Sequence, residues 1–218
     1  MELIKDNIFL VRNKKVFFSN SYIYRNRENN ECIIIDPGFD AELIDNYILQ
    51  NNFKPIAVIS THGHFDHIGS AAFFKSKYQI PYYLHEKDMK ISQAANFYLK
   101  VAKIDYKIET PKPDFLFNGE YNYLTLSGIK LEIFLFPGHS PGSCIVKIEN
   151  GLFSGDILYK NGLGSGSVPK ENTELLKRSI LKIFDLFFDE NLILPGHGAY
   201  DYLGAIKSNN LELKKFLS

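Results

Sequence analysis

Short apolar, β-branched runs separated by turn residues fill the first part of the chain: Ile8 to Val11, Val16 to Phe18, Ser21 to Tyr24 and Cys32 to Ile35. Runs of this length and make-up predict strands. Asp36-Pro37-Gly38 ends the fourth run. From Ala41 to Asn51 the period changes, with Leu43, Ile44, Tyr47 and Ile48 on one helical face. Pro55 then introduces Ile56 to Ile59, a buried-strand candidate, and a histidine-rich loop follows before a helix predicted over Gly69 to Lys77. Lys87 to Lys103 reads as helical, and Pro111 to Gly119 as a loop approaching the functional residues. The second half repeats this grammar. Leu131 to Phe136 runs into Pro137-Gly138-His139, Gly151 to Ser154 into Gly155-Asp156, and Leu192 to Leu194 into Pro195-Gly196-His197. Between the last two, Thr173 to Phe188 places Leu175, Leu176, Ile180, Ile183, Phe184 and Phe187 at helical spacing, with Asn172 or Thr173 as its cap.

Each half is a strand-rich stretch followed by helices, which predicts an α+β fold: two packed sheets with helices on both outer faces. The 218 residues are expected to form one unit, 1–218, with no clear linker. Hydrophobic residues make up 45% and charged residues 23%, enough apolar material for a real core and too little bias for a disordered chain. Lys plus Arg equals Asp plus Glu at 25 each, so no net field favours nucleic acid or an anionic membrane. The start of the chain, with Glu2, Lys5 and Asp6, does not fit a signal peptide, and no apolar run approaches the ~20 residues of a membrane span. Cys32 and Cys144 stand far apart and read as buried thiols, which favours a reducing, cytoplasmic location.

His62, His64 and His67 fall within six residues, with Asp66 among them. Imidazole and carboxylate groups at that spacing suit zinc, iron or manganese. Five of the six histidines lie in this loop or in Pro-Gly-His strand ends, leaving only His85, which reads as structural or surface-exposed. A lone Pro-Gly-His or Gly-Asp is ordinarily a turn. The whole set, desolvated together without a cation, is too costly to be a packing accident. Asp66 could bind an ion directly or hydrogen-bond a ligand histidine.

This arrangement resembles the metallo-β-lactamase superfamily, whose marker is His-x-His-x-Asp-His followed by His, Asp and His at successive strand ends. The resemblance runs from Asp36-Pro37-Gly38 through Thr61 to His67, Pro137 to Gly142, Ser154 to Leu158 and Pro195 to Gly198. It implies a four-layer αββα sandwich with a dinuclear site at the sheet edge. His62, His64 and His139 would hold one ion, Asp66, His67 and His197 the other, and Asp156 would bridge them. Ser154 to Leu158 and the tail Gly204 to Phe216 look like the short bacterial branch of the glyoxalase II-like hydrolases. Two departures stand out. Only 21 residues follow His197, with no extra helical region of the kind that holds glutathione in longer glyoxalase II enzymes. Ser165-Gly166-Ser167 also occupies the place where related short hydrolases carry Arg-Ser/Thr-Asp.

The resemblance implies a hydrolase of a small thioester or ester, of the hydroxyacylglutathione type, working through a metal-bridging hydroxide. Two divalent ions, zinc foremost with iron or manganese as alternatives, would acidify a shared water, and Asp66 would be the catalytic side chain that orients it or moves its proton. A mononuclear-iron persulfide dioxygenase is the first rival reading; a lactonase or another superfamily hydrolase is the second. A nucleic-acid processing role is disfavoured by the neutral charge. Antibiotic hydrolysis is disfavoured because the secreted zinc β-lactamases most often carry Cys where this chain has Asp156. The expected partner is a small-molecule substrate, with neither nucleic acid nor membrane; the oligomeric state is not legible. Residues that choose the substrate are expected from loops such as Lys87 to Phe115 and Tyr159 to Pro169, and Tyr159, Lys160 and Tyr200 are candidate contacts without priority among them.

Overall fold

The computed structural model describes residues 2–5, 7–164 and 171–218. Ser165-Gly166-Ser167 and most of the stretch running to Pro169 therefore lie outside the described residues. The first sheet is built in chain order from β1 (Glu2–Lys5), β2 (Ile8–Arg12), β3 (Asn20–Arg25), β4 (Glu31–Ile35), β5 (Lys54–Ile59), β6 (Tyr82–His85) and β7 (Phe115–Phe117). The first four strands pair antiparallel and β4 to β7 run parallel. Helix α1 (Ala41–Gln50) connects β4 to β5, and α2 (Phe65–Ile68) with α3 (Ala71–Tyr78) connects β5 to β6. A single 3-10 turn (Glu86–Asp88), α4 (Met89–Gln93) and α5 (Ala95–Val101) then lead to β7.

The second sheet contains β8 (Tyr121–Leu126), β9 (Ile129–Leu135), β10 (Cys144–Ile148) and β11 (Gly151–Gly155), extended by β14 (Leu192–Pro195) and β15 (Asp201–Tyr202). A small hairpin of β12 (Leu158–Tyr159) and β13 (Gly162–Leu163) follows β11. Helix α6 (Thr173–Leu186) precedes β14, and α7 (Leu203–Asn209) and α8 (Leu211–Leu217) close the order. Of the two candidate caps for α6, Asn172 takes the role, accepting from the Leu175 amide at 2.9 Å.

Alternation along the strands sorts the core into three layers of side chains. Leu10, Ile33 and Ile35 belong to the inter-sheet layer, together with Leu131, Ile133, Val146 and Phe153 of the second sheet. Their neighbours Cys32, Ile34, Val58 and Leu84 point the other way, onto Ile44 and Ile48 of α1, Phe74 of α3 and Leu99 of α5. On the far side, Ile145, Leu152 and Ile193 pack on Leu176, Ile180 and Ile183 of α6 and on Leu203, Ile206 and Leu213. Helices, two sheets and helices form the expected four layers. A strand buried on both faces must be apolar throughout, which is why Cys32 to Ile35 reads as an unbroken run.

Three local expectations are corrected. Val16 to Phe18 is not a strand, because the buried side-chain amide of Asn13 bonds Ser19 and Ser21 while the Lys14 and Lys15 amides donate to Asp40, folding 14–19 into a loop. Pro111 to Gly119 is not all loop, since Phe115–Phe117 adds to the sheet beside β6. The helix expected from Gly69 starts at Phe65 and breaks after Ile68, so Asp66 and His67 project from a helical turn rather than from free loop.

Candidate metal centre

The strands deliver the chemistry to one edge of the sandwich. Gly155 and Pro195 pair across the parallel β11 and β14, which sets Asp156 and His197 side by side. Ile35 and Ile59 are likewise partners in β4 and β5, so Asp36 and the residues from Ser60 to His64 leave the first sheet together. The two sheets are stitched at this edge: the Cys144 amide donates to Thr61 O at 2.9 Å, and the Tyr22 hydroxyl donates to Pro195 O at 2.7 Å.

Two groups of side chains result, His62 with His64 and His139, and Asp66 with His67, Asp156 and His197, each with its ligand atoms within 4.8 Å of one another. All seven residues singled out by the sequence are brought together. In the first group His64 Nδ1 lies 3.1 Å from His62 Nε2 and 2.9 Å from His139 Nε2. The outer nitrogens fix the tautomers. Thr61 Oγ1 donates to Asp36 Oδ2, so it accepts from His62 Nδ1; His139 Nδ1 donates to Gly164 O at 2.9 Å. Both Nε2 atoms therefore turn lone pairs inward on His64 Nδ1, which can carry at most one proton. A cation resolves that convergence of buried acceptors.

The second group is built the same way. His67 Nδ1 donates to Asp36 Oδ2 at 3.0 Å and His197 Nδ1 to Phe18 O at 2.5 Å. Inward, His67 Nε2 is 3.3 Å from Asp156 Oδ1 and 3.5 Å from Asp66 Oδ2, and His197 Nε2 is 3.2 Å from both Asp66 Oδ2 and Asp156 Oδ2. Among the described residues, His64 Nε2, His67 Nε2 and Asp156 Oδ1 are buried with no hydrogen-bond partner. His67 and Asp156 thus approach within ion-pair distance but in a geometry aimed past one another. Four of the five histidines have an outer N–H anchored on oxygen and an inner nitrogen free to ligate, the usual support of metal-binding imidazoles. The donors of both groups fit divalent metal ions.

The two groups differ in charge. Burial, reinforced by the surrounding imidazoles, lowers the pKa of His62 well below the usual value and that of His64 to about 4. Burial also opposes a charge on His67 and His197, but Asp156 leads the carboxylates that outweigh it, raising His67 well above the usual range and His197 to about 10. For Asp66 and Asp156 burial is overcome by His67 first among the imidazoles, and both stay ionised. An ion takes neutral imidazole, so below these raised pKa values an ion in the second group must displace protons from His67 and His197, whereas in the first group His62 and His64 are already neutral at pH 7. Zinc loading of the second group at pH 7 is expected to release about two protons per chain and to strengthen as pH rises. Calorimetry in buffers of different ionisation enthalpy counts them; release of none at that step would sink the assignment.

Sequence reasoning gave Tyr159, Lys160 and Tyr200 equal standing, and the structure separates them. Tyr159 stacks edge-on against His197 at 5.8 Å, with Asp156 close enough to act on its hydroxyl, whereas Lys160 pairs with Asp201 and Tyr200 donates to Glu2. Phe17 adds a second edge-on contact to His197 and packs on Phe65, giving this side an aromatic rim. His85 is buried, accepting from the Lys87 amide and facing Gly119 O, away from both groups. Both cysteines are buried free thiols. Asp36, Thr61 and Asp88 went unnoticed as functional residues. Asp36 carried a signal, an acidic residue directly after a buried strand, the same signal that marked Asp156.

The sequence model of the metallo-beta-lactamase superfamily matches residues 15–217. The chain is 36% identical over 174 residues to the probable metallo-hydrolase YqgX of Bacillus subtilis, covering 78% of this chain and 81% of that protein. It is 32% identical over 191 residues to the hydroxyacylglutathione hydrolase GloC of Haemophilus influenzae, covering 84% and 87%. Among solved structures it is similar to the BLEG-1 B3 metallo-beta-lactamase, with a TM-score of 0.85 and 32% identity over 94% of this chain and 99% of that one.

Proposed function

The chain belongs to the metallo-β-lactamase superfamily, and from that premise we propose that it hydrolyses a small thioester or ester, of the hydroxyacylglutathione type, at a centre of two divalent ions. The observation that carries this reading is the pair of ligand groups sharing Asp156, whose Oδ2 lies 3.6 Å from His139 Nε2 in one group and 3.2 Å from His197 Nε2 in the other. His62, His64 and His139 would hold one ion, Asp66, His67 and His197 the second, with Asp156 between them. Histidine and carboxylate donors accept zinc, iron and manganese alike, and zinc is the ion in this proposal. Such a pair, when bound, acidifies a shared water and polarises the substrate carbonyl.

The remaining work falls to side chains. Asp66, held as a carboxylate beside His197, is an acceptor that orients a water; its strongly lowered pKa makes it a poor proton store. Burial, then Asp156, raises the Tyr159 hydroxyl, which remains a neutral donor beside the second group and can meet a substrate oxygen. A thiolate leaving group, with a thiol pKa of about 8.5, needs little acid assistance. The similarity to GloC supports a thioester. A cytoplasmic enzyme acting on a small molecule fits the neutral charge, and no helix among the described residues is long and apolar enough to cross a membrane.

Elemental analysis of protein purified without added metal, paired with a panel of a hydroxyacylglutathione, a simple acyl thioester, a lactone, a β-lactam and a persulfide, tests the proposal. The expected result is about two ions per chain with thioester cleavage. One iron per chain, with oxygen consumed on the persulfide and no thioester cleavage, would replace it with the dioxygenase reading.

A further inference from the structure

Asp88 ends the 3-10 turn before α4 and is fully buried. Its carboxylate makes three hydrogen bonds, and all three reach the loops that carry the first ligand group. Oδ2 accepts from the Gly63 amide at 2.8 Å and the Ser140 hydroxyl at 2.6 Å, and Oδ1 accepts from the Gly142 amide at 2.7 Å. Gly63 sits between His62 and His64; Ser140 follows His139 directly. These loops leave different sheets, one after β5 and the other between β9 and β10.

The donors are shaped for this carboxylate. A Cβ on Gly63 would lie 2.8 Å from the Asp88 carbonyl oxygen, and one on Gly142 would lie 2.7 Å from Asp88 Cγ. Only glycine lets both backbones come close enough to donate. Ser140 is held in turn by Ser143 Oγ at 2.7 Å. Buried, charge-assisted bonds of this kind are among the strong ones.

We infer that Asp88 is a positioning residue of the metal centre, a carboxylate clamp that holds the two loops in the register at which His62, His64 and His139 converge on one ion. The inference rests on the dinuclear reading above. It distinguishes the two ligand groups, because none of the three bonds of Asp88 goes to Asp66, His67, Asp156 or His197, or to a residue next to one of them.

The test is a zinc titration of chelator-stripped protein in competition with a chromophoric chelator, resolving two equivalents. Asp88→Asn keeps the size but sets an NH2 group against at least one donor. It is expected to weaken one equivalent about 10- to 100-fold, the usual effect of losing a partner that orients a ligand, and to leave the other unchanged. Cobalt substitution should show the same split, with the spectrum of one ion altered. Asp45→Asn, at a carboxylate bonded among the described residues to Lys77 and Tyr78, is the control expected to leave both equivalents intact. If Asp88→Asn does not fold, Ser140→Ala decides, with a smaller weakening of the same equivalent expected. Two wild-type equivalents with an unchanged isotherm in Asp88→Asn, or in Ser140→Ala where that variant decides, overturn the inference alone. Equal weakening of both equivalents also overturns it. Wild-type protein that takes up no zinc, iron or manganese overturns the dinuclear reading and this inference with it.

Discussion

Asp156→Ala is expected to lower thioester turnover at least ~10³-fold, because it removes the one carboxylate shared by the two ligand groups, and metal-ion stabilisation of a transition state is worth several kcal/mol at about 1.4 kcal/mol per tenfold. The residue leaves β11 after Gly155 and reaches His67 through Oδ1 at 3.3 Å and His197 through Oδ2 at 3.2 Å. Among the described residues the Asp66 carboxylate pairs with the second group, His67 and His197, at 3.5 and 3.2 Å. Asp66→Ala should therefore leave uptake by His62, His64 and His139 intact, while Asp156→Ala should weaken both ions. A second effect follows in the metal-free protein. Burial opposes the imidazolium of His67, and Asp156 is the leading group that outweighs it, so the variant should also lose part of the proton release on metal binding. Turnover, ions per chain and protons released are each measurable on the same preparation. Full metal content with unchanged turnover in Asp156→Ala would remove the bridging role.

The layers of this fold were legible because burial on both faces imposes an unmistakable pattern. Cys32 to Ile35 and Ile56 to Ile59 read as candidate interior strands, and the turn residues after them marked where side chains emerge. The short edge elements were not legible. β7 is three residues, two of them exposed, and β12, β13 and β15 are two residues each, below any periodicity that a chain can display. Val16 to Phe18 misled for the opposite reason: its apolar residues serve the rim, with Phe17 against Phe65 and His197, rather than a sheet. In the site, the seven candidate ligands were marked by residue type and by position after strands. Asp88 had no such signal, since an acidic residue opening a helix is ordinary and the bonds that distinguish it run to positions 25, 52 and 54 residues away. Thr61 is similar, recognisable only once Asp36 Oδ1 and Oδ2 are seen to accept its amide and hydroxyl at 2.7 Å each.

Gly196→Ala is expected to lower turnover about 100-fold, since misplacement of a reacting group by 1 Å can cost that much, and to cost about 1–3 kcal/mol of stability through overpacking. Pro195-Gly196-His197 resembles a simple turn, but its backbone is pinned on both sides. The Gly196 amide donates to Gly155 O at 2.8 Å, Gly196 O accepts from the Asn20 amide at 2.7 Å, and Pro195 O accepts from Tyr22 and Asn20 side chains. A Cβ here would lie 2.2 Å from Asp156 Oδ1 and 2.4 Å from His67 Cε1. Since the strand end cannot retreat, one of those two side chains must move, and both belong to the second ligand group. Zinc titration of the variant should accordingly lose or weaken the proton-releasing equivalent. Gly198→Ala separates this from backbone strain. Gly198 has a positive φ of 76° but nothing within 4 Å of its would-be Cβ, so alanine there should cost ~1 kcal/mol or somewhat more and leave both zinc equivalents in place. Retention of both equivalents by Gly196→Ala would show that Asp156 and His67 have room to yield, and that the close approach at this strand end does not set their positions.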